Sequence, residues 1–223
     1  EVVELTDHIG GNMDRETAAA LRKQYERKGI RFHLSARVTR IDDKQVSIEG
    51  PEGESALEAP LLLLAAGRKP RVEGYGLERV GIHTDRGRIV TDDRCRTNVP
   101  GIYAAGDVNG VWMLAHAAYR EAETAVAHML GKDTRMRYDA VPSVVYTHPE
   151  AASVGLTEEQ CAARPGGVKK AVVPMGVSGR FLAETNRETG FCKVLADPVE
   201  NRLLGCHILG PYASEIIVAA GIL

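Results

Sequence analysis

The sequence contains no apolar run near the ~18 residues of a membrane-spanning helix; the longest is Leu61–Ala66. A membrane partner is therefore not expected. It also lacks blocks of like charge. Its 28 basic and 30 acidic residues are interspersed and leave a net charge of −2, which gives no footprint for nucleic acid. No signal-peptide pattern opens the 223 residues. The four cysteines (Cys95, Cys161, Cys192 and Cys206) form no Cys-x-x-Cys or similarly tight pair, which excludes a local zinc knuckle or adjacent redox dyad. They are expected to be reduced, structural thiols in a cytoplasmic protein. A Gly-x-Gly-x-x-Gly phosphate loop is missing too; Gly74-Tyr75-Gly76 comes nearest, with Arg79 in the third glycine's place.

What is present is a succession of strands and helices. Asn12–Asp14 offer capping chemistry for a helix through Lys28, with Ala18, Leu21 and Tyr25 on one face and Gly29 as its stop. Ile30–Leu34 alternates as a strand. Arg37–Ile41, Gln45–Glu49 and Ser55–Glu58 read as an antiparallel meander. Leu61–Ala66 reads as a strand buried on both faces, and Ile102–Ala105 as a second buried strand leading into Gly106-Asp107. A short strand is expected at Arg88–Thr91. A helix over Leu114–Leu130 turns Ala118, Ala122, Ala125, Val126 and Met129 inward.

From Tyr138 the pattern changes to short strands at Ser143–Thr147, Ala152–Gly155, Lys169–Val173, Phe191–Ala196 and Leu203–Leu209. One helix between them carries Thr157 and Gln160 as a capping box, and a last helix begins near Ala213. The fold class is α/β and α+β: partial doubly wound, Rossmann-like units at 1–69 and 70–137, then an antiparallel-sheet unit at 138–223. Glu1–Leu5 resembles the second half of a strand, and the chain closes in an apolar stretch, Ile216–Leu223. Both ends lead to the expectation of a fragment of a longer protein.

Two acids stand where nucleotide-binding sheets place their ligands. Glu4, at a strand tip, is either a solvated strand-end carboxylate or an acceptor for both hydroxyls of an adenosine ribose, which would disfavour the 2′-phosphate of NADP. Asp107 is either a helix cap or a ligand-holding carboxylate at a strand's carboxyl end. The long pattern Thr97–Asp107, a threonine followed by small apolar residues and a terminal Gly-Asp, tilts Asp107 toward a ligand.

That segment resembles the second FAD-binding motif of the pyridine nucleotide-disulfide oxidoreductases, in which the aspartate holds the flavin's ribityl chain. Met113-Leu114-Ala115-His116 resembles the stretch whose backbone amides reach the flavin ring, where a helix N-terminus favours electron-rich oxygens. Ala65–Pro70 resembles the family's Gly-Arg-x-Pro junction, in which Gly67 lets the backbone approach the dinucleotide. Val38 matches a position at the adenine end, and Glu4 the acid that selects NAD. Tyr146–Gln160 and Gly205–Ile217 resemble the opening and close of the family's dimerisation domain, nearest to the dihydrolipoamide dehydrogenase group.

The resemblance implies FAD and NAD as cofactors and a homodimer formed through 138–223. It also implies electron flow from dihydrolipoamide through a redox disulfide and FAD to NAD⁺, with the lipoyl domain of a 2-oxo acid dehydrogenase complex as partner. The family's redox cysteines and its C-terminal His-Glu pair have no counterpart in these residues, so no catalytic residue is assigned and the chain alone is expected to be inactive. His148 and His207 are read as dimerisation-domain residues with satisfied side chains. A soluble pyridine nucleotide transhydrogenase and a non-catalytic dimerisation module are the alternatives.

Overall fold

A computed structural model describes residues 1–185 and 188–222; Leu223, which ends the apolar stretch, lies outside the described residues. Two compact units emerge from the contacts: Glu1–Leu63 with Pro142–Leu223, and Leu64–Val141.

In the first unit, β1 (Val2–Val3) pairs in parallel with β2 (Phe32–His33), with α1 (Arg15–Arg27) between them in sequence. Asp14 caps α1 by accepting from the Thr17 amide, and Ala18 and Leu21 form its buried face as expected. The meander is β3 (Arg37–Asp42), β4 (Gln45–Gly50) and β5 (Gly53–Glu58), antiparallel throughout.

The second unit opens on loops around a small hairpin, β6 (Thr84–Asp85) and β7 (Arg88–Ile89). It continues through a 3₁₀ turn at Asp107–Asn109 to α2 (Ala115–Met129).

The first unit resumes with β8 (Ser143–Val145), β9 (Ala151–Gly155), α3 (Glu158–Ala162), β10 (Lys169–Pro174) and α4 (Gly179–Glu184). It closes with β11 (Phe191–Ala196), β12 (Leu203–Leu209) and α5 (Ala213–Ile222). The five strands form one antiparallel sheet in the order β10-β11-β12-β9-β8. The fold is therefore mixed α/β with an antiparallel sheet in its C-terminal part. The capping box of α3 is formed as expected, Thr157 and Gln160 each bonding the other's backbone amide. Among the described residues no helix is long and apolar enough to cross a membrane.

Strand β12 is buried at six of its seven positions because the sheet is covered on both faces. On one face Ala152, Val154, Cys206 and Ile208 meet Ala213 and Ile217 of α5. On the other, Ala151 and Leu209 meet Leu21 of α1. This second contact joins the N-terminal helix to the C-terminal sheet.

Where β9 leaves for α3 the backbones nearly touch. A Cβ at Gly205 would lie 2.0 Å from the Leu156 carbonyl oxygen, and one at Gly155 (φ +79°) 2.3 Å from that of Leu204. Gly205→Ala is expected to lower stability by about 3 kcal/mol, read from its urea unfolding midpoint, because rigid backbone must move to admit the methyl.

Three expectations need correction. Leu61–Ala66 is not a buried strand: it pairs with nothing among the described residues, and Leu61, Leu63 and Leu64 are exposed. Apolar composition signals burial, but a parallel strand exists only where neighbouring strands complete its ladder. Ile102–Ala105 likewise makes one isolated bridge, Arg96 to Tyr103, in place of a strand. On α2 the inward face is Ala117, Glu121, Thr124 and Ala125, while Val126 and Met129 are exposed. The helix is turned by the polar bonds of Glu121, which an apolar-periodicity reading does not weigh.

Candidate functional site

Glu4 and Val38 lie in the first unit; Gly67, Asp107 and residues 113–116 lie in the second. Glu4 follows β1, donating its amide to the His33 carbonyl and accepting from the Ala36 amide, so it stands at the carboxyl tip of the parallel pair. Its Oε1 accepts from the Thr6 amide and hydroxyl, both at 2.8 Å. One carboxylate oxygen is thus held by the chain itself, which fixes the direction in which the other is presented. Val38 is exposed on β3, opposite Ile48. Gly67 has φ +102° with open space where a side chain would be.

In the second unit Asp107 and the start of α2 come together. Gly106 (φ +83°) packs so closely that a Cβ there would lie 3.3 Å from the Ala118 methyl, in the first turns of α2. Asp107 follows it, exposed, and its carboxylate takes no hydrogen bond among the described residues. At the head of α2, Leu114 occupies the N-cap position without a side-chain cap bond, and Met113, Ala115 and His116 are exposed. A partnerless carboxylate beside an uncapped helix end can hold a ligand that offers hydroxyl donors and an electron-rich oxygen together.

The bracing of this turn escaped the sequence reading. Glu121 is fully buried and accepts from the Gly106 amide, the Asn109 side-chain amide (2.8 Å) and the Tyr138 hydroxyl (2.9 Å). The first two flank Asp107. No spacing rule links a helix glutamate to a turn twelve residues upstream, so nothing in the sequence marks it.

The two histidines differ from expectation. The His207 ring bonds the Leu156 carbonyl through Nε2 (2.9 Å), but its Nδ1 is buried without a partner among the described residues. Burial holds it below the usual histidine range, so the ring is neutral. The His148 side chain is exposed, 3.5 Å from Glu188, at a cleft that also includes Thr147, Glu150 and Tyr212. Among the described residues no cluster of three or more His, Cys, Asp and Glu side chains could hold a metal.

The family described as pyridine nucleotide-disulphide oxidoreductase matches residues 1–122, and its dimerisation domain matches residues 141–223. The chain belongs to this family. Dihydrolipoyl dehydrogenase 1 of Arabidopsis thaliana mitochondria is 40% identical over 97% of the chain, and dihydrolipoyl dehydrogenase of Thermus scotoductus 41% over 93%. These matches span 44% and 46% of the relatives, so the chain covers less than half their length. Among solved structures, LpdA from Mycobacterium tuberculosis superposes with a TM-score of 0.86 at 29% identity, over 99% of the chain and 48% of that protein. The HOCl-induced flavoprotein disulfide reductase RclA from Escherichia coli gives 0.81 at 26%, over 99% and 51%. The pyridine nucleotide-disulphide oxidoreductases are enzymes, and both segments of the chain match that one family.

Proposed function

We propose that the chain is part of a flavoprotein that oxidises a dithiol, dihydrolipoamide, at the expense of NAD⁺. When bound, FAD supplies the exchange of electrons between a redox disulfide and the nicotinamide. The chain's own residues position it. Asp107 would hold the flavin's sugar-alcohol chain by accepting hydrogen bonds, and the stretch 113–116, at the start of α2, would favour the ring's electron-rich oxygens. Glu4 and Val38 serve the adenosine end of NAD, and Gly67 is a glycine at which backbone can approach a dinucleotide. Residues 138–223 form a homodimer, and the lipoyl domain of a 2-oxo acid dehydrogenase complex delivers the dithiol. The single observation that carries this reading is the exposed Asp107, whose carboxylate has no hydrogen-bond partner among the described residues, in the turn that packs on α2, whose start has no side-chain cap. The identity to dihydrolipoyl dehydrogenases along nearly the whole chain supports the choice of substrate.

The test uses the full encoded polypeptide. Asp107→Ala removes charge-assisted hydrogen bonds worth ~1.5–3 kcal/mol each, so FAD affinity is expected to fall about 100-fold, measured by flavin absorbance per chain after dialysis. Unchanged flavin content would overturn the assignment of Asp107. Reduction of NAD⁺ by dihydrolipoamide distinguishes this activity from hydride exchange between NADPH and NAD⁺, the result expected of a transhydrogenase. The 223 residues alone are expected to retain no stoichiometric flavin, since they hold no glycine-rich phosphate loop.

A further inference from the structure

The four cysteines are scattered in sequence, but two of them meet across the sheet. In the β11–β12 ladder Cys192 stands opposite Ile208, and Cys206 opposite Val194. The two cysteines are therefore diagonal neighbours on one face, the face covered by α5. Their sulfurs are 3.8 Å apart, within thiol hydrogen-bonding distance. Cys206 is buried at 4% exposure and Cys192 is half-buried, so Cys192 is the more accessible residue of the pair. Cys95 belongs to the other unit, and Cys161 packs against Leu195 and Leu204. Neither has a second thiol beside it.

We infer that Cys192 and Cys206 form a redox dithiol site that a hydroperoxide converts to an interstrand disulfide. Cys192 is the attacking sulfur. Its thiolate displaces an alkoxide, or hydroxide from hydrogen peroxide, by forming an S–O bond as the O–O bond breaks; the leaving oxygen takes a proton from solvent. Cys206 sulfur then attacks the Cys192 sulfenic acid. The S–S bond forms, the S–O bond breaks, and hydroxide leaves with the Cys206 proton as water. Two thiols are oxidised by two electrons, and the hydroperoxide is reduced to an alcohol (or water) and water.

The chemistry of the pair suits this division. The bond from Cys206 lowers the Cys192 thiol, against burial, which favours its thiolate. The same bond, with burial, pushes the Cys206 thiol up and keeps it protonated until the sulfenic acid forms. Closing the bridge brings the sulfurs to the ~2.05 Å of a disulfide, through side-chain rotation and a small approach of two already paired strands.

The reduced chain, treated with hydrogen peroxide and then alkylated after denaturation, is expected to lose about 2 Da and protect two of its thiols. Proteolytic mapping should yield one cross-linked species, the Cys192 peptide joined to the Cys206 peptide. The oxidation rate should rise with pH as the Cys192 thiolate forms, at a lower pH than for an ordinary cysteine. Cys206→Ser should leave a sulfenic acid on Cys192 that dimedone traps. Should that variant not fold, the wild-type map decides alone. Four alkylatable thiols after peroxide, a cross-link between any other pair, or oxidation that stops as isolated sulfinic acid would each overturn the inference.

Discussion

Lys193→Ala is expected to lower the stability of the chain by about 3–5 kcal/mol, measured by urea or thermal unfolding. Lys193 is wholly buried on the sheet face that α1 covers, in the middle of β11. Its ammonium lies 2.7 Å from Asp14, 2.7 Å from Glu158 and 3.1 Å from Glu16. Asp14 is buried as well; besides capping α1 it accepts from the Glu158 amide at the start of α3. One cation thus ties α1, α3 and the sheet together, between residues as far apart in sequence as Asp14 and Lys193. Burial works against the charge on each partner. For Lys193 the bonds from Asp14, Glu158 and Glu16 outweigh it and raise the ammonium's pKa; for Asp14 the bonds from Lys193 and the Glu158 amide outweigh it and lower the carboxyl's. Removing the lysine alone leaves a carboxylate desolvated without its counter-charge, and that is the source of the large loss. Lys170 makes a similar bond to Glu158 (2.8 Å) from the surface, and Lys170→Ala should cost less than about 1 kcal/mol. Equal losses for the two lysines would show that burial is not what matters.

The same cluster sets the response to acid. His207 is held below its usual range by burial, so its stabilising neutral form is complete above ~6.5 and is lost as pH falls below that. Asp14 is held below the usual aspartate range, so its contribution is present above ~3.9 and is lost as pH falls through its folded value. Lys193 is raised, so its contribution persists below ~10.4 and disappears only in stronger base. Unfolding midpoints measured from pH 7 downward should therefore decline in two stages. Asp14→Asn should flatten the lower one.

The contrast between Lys193 and Leu61–Leu64 shows what a sequence can and cannot disclose. Helix caps, the meander and the antiparallel strands are local; Asp14, Thr157 and the turns of 42–44 announce them through short-range chemistry that the folded chain keeps. The apolar run at Leu61–Leu64 announced a strand, yet pairing is supplied by other segments, and none among the described residues provides it. Nothing within Phe191–Ala196 marks Lys193 as buried. Only the packing of α1 on the opposite end of the chain makes it the centre of the core. Likewise Cys192 and Cys206, 14 residues apart, become neighbours through register, which composition does not state. Of the candidate site, Asp107 and residues 113–116 are singled out by local patterns; the buried glutamate that braces the turn is not.

Glu121→Ala should be the most damaging change in the second unit, costing at least about 3 kcal/mol by the same unfolding measurement. A fully buried carboxylate without a cation is tolerated here because three donors converge on it, from Gly106, Asn109 and Tyr138. Burial and the bond to Glu121 together push the Tyr138 hydroxyl far up, so the phenol stays a donor at any physiological pH. Alanine leaves all three donors without their acceptor, and the Gly106 and Asn109 groups are buried, each at ~1–3 kcal/mol. Glutamine is the sharper probe. It keeps the shape and one acceptor oxygen but turns an NH₂ toward one of the donors, so Glu121→Gln should lose roughly half as much. The consequence reaches Asp107, because the amide before it and the side chain two residues after it are both held by this carboxylate. In the full encoded polypeptide Glu121→Gln should therefore release flavin while Asp107 itself is intact, and added FAD in excess should restore occupancy that Asp107→Ala does not recover. If Glu121→Gln unfolds no more readily than the parent, or binds FAD as tightly, then Asp107 is positioned by the turn's own backbone and the buried glutamate is only a core acid.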